Sequence, residues 1–105
     1  MYGVQETEVS FRYWDFGNAV IALFPYEIAD FEGSCLSYMT IGQHGAADYD
    51  YVISTSRPAT PEEYASLQVE LARIGYNLKI IQRRHYQRYR QAVVDAMRSD
   101  VRSHR

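Results

Sequence analysis

The run Gly42-Gln43-His44-Gly45-Ala46-Ala47-Asp48 carries the first candidate for small-site chemistry. Two glycines free the backbone around a histidine, and a carboxylate follows four residues on. If a turn of helix begins at Gly45, His44 and Asp48 share a face. Such a pair could ligate zinc or iron, or work as acid and base. Two ligands are not a site, and no third is marked, so no metal or other cofactor is expected. The plainer reading is a histidine that hydrogen-bonds across its loop and caps a strand end. Cys35 offers a nucleophile that His44 could serve, but a thiolate needs nearby cations or a helix N-terminus, and the local charge is acidic. A buried structural cysteine is the expectation. Glu27, Asp30 and Glu32 share one loop without the oxygen spacing of a calcium site, which reads as a solvated acidic loop or a face for a basic partner.

Basic chemistry gathers at the other end. Arg83-Arg84-His85-Tyr86-Gln87-Arg88-Tyr89-Arg90 interleaves guanidinium groups with aromatic rings. Arg83, Arg84, Arg88 and Arg90 could neutralise phosphates while tyrosines stack on bases, although no named nucleic-acid motif is present. Tyr86, Tyr89, Val93, Met97 and Val101 fall near one stripe, which suits a protein partner or self-association as a homodimer. The third reading packs the tyrosine face on the body and leaves the arginines in water.

Composition bounds these choices. The chain has 105 residues and a net charge of −2. Residues 1–78 hold 11 acidic and 3 basic side chains, whereas residues 79–105 hold 8 basic and 2 acidic. That asymmetry marks either an interaction surface or a basic end lying on an acidic body. Ten tyrosines exceed ordinary usage, and tyrosine suits both interfaces and strands. A single cysteine precludes an internal disulfide. No apolar run reaches membrane-helix length, and the N-terminus lacks the layout of a signal peptide, so a soluble cytoplasmic protein without a membrane partner is expected.

The elements that must position these residues follow from periodicity. Val9, Phe11 and Tyr13 alternate with polar neighbours in a first strand. Asp15 to Asn18 is turn chemistry. Ala19–Phe24 is a continuous apolar run, expected to be a central strand buried on both faces and ended by Pro25. Cys35–Ile41 reads as a third strand, broken by Gly42 to Gly45, and a further short strand is possible near Tyr51–Ser54. Thr60-Pro61-Glu62-Glu63 is a capping box with proline at the first helical position, and Gly75 is a left-handed stop. The helix Pro61–Ile74 is therefore expected to bury Tyr64, Leu67, Leu71 and Ile74. Tyr76–Gln82 reads as a strand and Arg84–Val101 as a helix. The order β-β-β-(β)-α-β-α predicts an α+β fold: a small antiparallel sheet with a helix packed on one face, residues 1–83, extended by a C-terminal basic amphipathic helix, residues 84–105.

Ile21-Ala22-Leu23-Phe24-Pro25, Leu36-Ser37-Tyr38, Gly42 to Tyr49, Arg57-Pro58-Ala59-Thr60-Pro61-Glu62-Glu63-Tyr64 and Leu71 to Leu78 together resemble a family of small proteins of bacterial genomes, plasmids and phages. The resemblance covers roughly residues 8–83. It implies one small domain and a mobile-element setting, and it brings no activity with it. The expectation is a non-enzymatic protein that binds a host protein, such as a defence nuclease. Nucleic-acid binding through the C-terminal helix and metal-dependent catalysis at His44 and Asp48 are the alternatives. No phosphate loop, zinc motif or nucleophile elbow supports an enzyme.

Overall fold

A computed structural model describes residues 5–15, 17–39 and 43–103, with the side chains of 5–15, 17–39 and 44–98. In chain order the elements are β1 (Thr7–Trp14), β2 (Ala19–Ile28), β3 (Cys35–Met39), β4 (Gln43–Ala47), α1 (Tyr49–Thr55), β5 (Arg57–Pro58), α2 (Pro61–Ile74), β6 (Leu78–Ile80) and α3 (Tyr86–Ser103). The class is α+β. The sheet runs β4-β3-β2-β1-β5 with antiparallel neighbours, and β6 joins β1 in parallel. One edge of β1 faces β2. The other is shared, with β6 beside Thr7 to Val9 and β5 beside Arg12 and Tyr13.

Period-two alternation sorts β1 between two faces. Val9 and Phe11 join Ala22, Phe24 and Tyr38 beneath Leu67 and Leu71 of α2. On the opposite face Ile21, Leu23 and Cys35 pack with Tyr49 and Val52 of α1. Within the Ala19–Phe24 run, Ile21 to Phe24 are thus buried on both sides, while Ala19 and Val20 at its start are half-buried. Helices cover both faces rather than the expected one, because α1 forms where a short strand was expected. Asp48 is its N-cap, with its carboxylate accepting the Tyr51 N–H at 3.2 Å. That cap, with Asp50 in the first turn, outweighs the alternation of Tyr49, Tyr51 and Ile53.

Further expectations are corrected. Pro25 does not end β2. The pairing with β3 shifts register between Phe24 and Ile28, and proline's missing N–H is tolerated at such an irregularity. Gly42 to Gly45 does not simply break the sheet, since Gln43–Ala47 pairs with β3, and no helix starts at Gly45. Thr40, Ile41 and Gly42 lie outside the described residues.

Helix α2 has the expected bounds. Thr60 and Glu63 form the reciprocal capping box, and Gly75 sits at φ 117° with its N–H on the carbonyls of Leu71 and Ala72. Leu67 and Leu71 are buried and Tyr64 stacks on Phe11 at 4.4 Å. Ile74, expected in the core, is 52% exposed. Tyr76 takes its place, stacking on Phe24 at 4.9 Å and closing that end of the core. The next strand is shorter than the Tyr76–Gln82 read from the sequence, because only Thr7 to Val9 of β1 are open to it.

One buried charge ties the layers. Arg12 lies on the α1 face of β1 and is 2% exposed. Its Nε donates to Ser56 Oγ at 3.0 Å, and its Nη2 donates to the carbonyls of Ser56 and Ile53 at 2.8 and 3.3 Å. It satisfies carbonyls at the C-terminal end of α1, where a cation also suits the helix dipole. Burial, and next the charge of Arg83, lower its pKa from the usual arginine value.

Candidate functional site

The C-terminal helix docks by a face slightly turned from the one its sequence suggests. Tyr89, Ala92, Val93 and Ala96 are half-buried, whereas Tyr86 and Met97 remain exposed, Met97 at 55%. The Val101 side chain lies outside those described. The helix is anchored by Tyr89, whose O–H donates to the Gly33 carbonyl at 3.1 Å. Gly33 is at φ 84°, a left-handed conformation that favours glycine, and the Tyr89 hydroxyl sits close against its Cα.

That contact joins the helix to the acidic loop. The Asp30 carboxylate accepts the N–H groups of Glu32 and Ser34, each at 3.0 Å, and the Gly33 N–H bonds the Asp30 carbonyl at 3.2 Å. These backbone donors, Ser34 first, hold the Asp30 carboxyl below the usual range. The tightened loop turns Phe31 outward, 80% exposed. Between loop and helix runs a groove of about 210 Å³ lined by Ile28, Ala29, Asp30, Phe31, Val93, Ala96 and Met97. Two features separate in the sequence, the acidic loop and the Val93/Met97 stripe, therefore form one surface. Phe31 belongs to that surface and gave no periodic signal that could have placed it there.

Arginines proposed for phosphate contact are partly engaged within the chain. Arg84 lies between the rings of Tyr49 and Tyr89, 4.1 and 3.8 Å from their centroids, and pairs with Asp50 at 3.3 Å. Arg88 lies over Tyr26 at 4.2 Å and pairs with Glu8 at 2.8 Å. Two backbone donors at the entry to α3 add to this seam: the Arg84 N–H reaches Tyr49 Oη and the His85 N–H reaches Tyr26 Oη, at 2.7 and 2.6 Å. The basic segment thus rests in part on the acidic body, as one of the two charge readings required. Arg83 and Arg90 stay exposed.

His44 and Asp48 diverge. Asp48 is committed to the α1 cap. The His44 ring turns to the α2 face, where its Nε2 hydrogen-bonds Tyr76 Oη at 2.8 Å and its edge meets the Tyr38 ring, centroids 4.8 Å apart. Tyr38 in turn donates a short hydrogen bond to Glu70. That bond, then burial, raises the Tyr38 pKa, and burial raises that of Tyr76, so both phenols stay protonated at neutral pH. The sequence pointed to His44 but not to Tyr38 and Tyr76 beside it, nor to Glu70 beyond Tyr38, which come from β3, the α2–β6 connection and α2. Cys35 pairs across the strands with Ala47, whereas Tyr38 pairs with His44, so thiol and imidazole face opposite sides of the sheet. Burial pushes the Cys35 pKa up to about 11, which leaves an inert thiol. Among the described residues no three His, Cys, Asp or Glu side chains gather as metal ligands would, and no helix is long and apolar enough to cross a membrane.

Compared with protein-family models, with curated proteins and with solved structures, the chain matches none.

Proposed function

We propose that the chain is a non-enzymatic protein-binding module, and that it engages its partner through the Phe31–Met97 groove. The observation that carries this reading is the exposure of Phe31 on a loop otherwise fixed by Asp30 and Tyr89. A phenylalanine in water on an ordered loop, beside exposed Met97, forms an apolar anchor of the kind that dominates interfaces. Asp30 and Glu32 flank it with negative charge. The occupant proposed is a partner-protein segment with an apolar side chain for the groove and a basic residue for that rim. We propose further that this partner is a host protein, as the mobile-element setting read from the sequence implies.

Phe31→Asp and Met97→Asp should each abolish partner binding in titration calorimetry or pull-down with an identified partner. Val69→Asp, at an exposed position on α2 far from the groove, should not. Equal binding by all three variants would refute the reading. The engagement of Arg84 and Arg88 within the chain argues against the nucleic-acid alternative. Tight DNA or RNA binding that weakens steeply with salt, seen in a mobility-shift assay, would revive it.

A further inference from the structure

The two edges of the sheet are built differently. On the β1 side, β5 and β6 divide the edge between them, and they carry Arg57, Pro58 and Lys79. Charge, proline and short strands are the devices that prevent another chain from adding to a sheet. On the other side, among the described residues, β4 ends the sheet with Gln43-His44-Gly45-Ala46-Ala47. It has no acidic or basic residue other than one histidine, no proline, and an unshifted register with β3 from Cys35↔Ala47 to Met39↔Gln43. His44, Gly45 and Ala46 are exposed. Alternate residues of an edge strand turn their N–H and C=O groups away from the sheet, where they offer a ladder to a further strand.

We infer that β4 is a self-association edge, on which the β4 of a second copy of this chain adds in antiparallel pairing about a two-fold axis at Gly45. The strand's own sequence makes the second copy a fitting occupant. Pairing about Gly45 sets His44 opposite Ala46 of the other copy and Gln43 opposite its Ala47. The His44 side chain thus meets a methyl group, and no like charges are opposed. Glycine at the axis sets no side chain against its own copy.

Five residues alone make a small contact, and a stable interface covers roughly 800 Å² on each partner. The surface beside β4 extends it. On the α1 face an open apolar cleft of about 380 Å³ is lined by Trp14, Ile21, Met39, Ala46, Ala47 and Tyr51, among others, and Tyr51 is exposed. A two-fold axis perpendicular to the sheet places like faces of both copies on the same side. The two clefts then meet across the seam, with both Tyr51 rings beside it. This surface is distinct from the Phe31–Met97 groove, so the inference does not depend on the function proposed above.

Light scattering across a concentration series tests it. The wild type should show twice the chain mass at high concentration. Ala46→Lys sets a lysine of each copy near the axis and should give the monomer mass with unchanged circular dichroism. Ala46→Glu should do the same, and mixing the lysine and glutamate variants should restore the dimer mass, which a merely structural defect would not do. Should Ala46→Lys fail to fold, Tyr51→Lys, exposed on α1, takes its role with the same expected loss. A wild type that stays monomeric to its solubility limit would overturn the inference. So would a dimer that survives the lysine substitution, or one that Met97→Asp dissociates.

Discussion

Arg12 should be a large single contributor to stability, and its replacement tests whether β1 holds α1 in place. The guanidinium makes two well-formed hydrogen bonds, to Ser56 Oγ at 3.0 Å and to the Ser56 carbonyl at 2.8 Å, with a longer one to the Ile53 carbonyl. A hydrogen bond to a charged group contributes about 1.5–3 kcal/mol. Two such bonds give roughly 3–6 kcal/mol, offset in part by the cost of keeping the guanidinium out of water. Arg12→Met preserves much of the side-chain stem and strands the α1 carbonyls, for an expected net loss of about 2–4 kcal/mol. In a chain this size that lowers the melting temperature by roughly 10–20 °C. Arg12→Lys keeps the charge but not the planar fork that reaches Ser56 and Ile53 together, so it should fall between methionine and wild type. Urea unfolding followed by circular dichroism gives the difference. Fluorescence of Trp14, whose indole N–H donates to Thr55 Oγ1 at the end of α1, reports whether that contact opens first. A methionine variant as stable as wild type would refute the argument, because it would mean that desolvation cancels everything the bonds return.

Two further outcomes bear on α2. Leu71→Ala, at a fully buried position, should cost about 2–5 kcal/mol, whereas Ile74→Ala should cost well under about 1 kcal/mol, measured by the same unfolding assay. Glu63 is held down to about pKa 2 by Arg57, whose guanidinium meets both carboxylate oxygens, and then by the Thr60 backbone N–H. Its folded pKa lies below the unfolded value near 4.5, so its contribution is present above pH 4.5 and disappears as pH falls toward 2. Melting temperature against pH should therefore drop more steeply over that window in wild type than in Glu63→Gln.

Local chemistry written in neighbouring residues determined α2. Thr60, Pro61, Glu63 and Gly75 act within a few positions of one another, and the bonds they form in the structure are those their types require. Alternation in β1 and the apolar run of β2 were legible for the same reason, since a strand's two faces repeat every second residue. The buried Cys35 agrees with the expectation of a structural thiol, with burial rather than acidic surroundings as the main cause of its raised pKa. Where local signals competed, the sequence left the choice open. Asp48 reads from the sequence as a partner for His44, yet its carboxylate takes a backbone N–H three residues on and caps α1. Pro25 looked like a stop because the register shift that accommodates it arises between β2 and β3, not within either strand.

Pairing at long range belonged to the tertiary structure alone. Tyr38 met Glu70, His44 met Tyr76, Arg84 met Tyr49, and Phe31 came to line one groove with Val93 and Met97, across gaps of about thirty to sixty-five residues. Neither periodicity nor capping encodes such partners. They are set by the order of strands in the sheet and by the rotation of α3 about its axis. That rotation follows Tyr89, because its phenol finds the Gly33 carbonyl and its ring covers Arg84. Both candidate surfaces, the Phe31–Met97 groove and the β4 edge, exist only once the sheet is assembled. A residue's type gives the chemistry it can offer, and the assembled sheet decides which residues stand beside it.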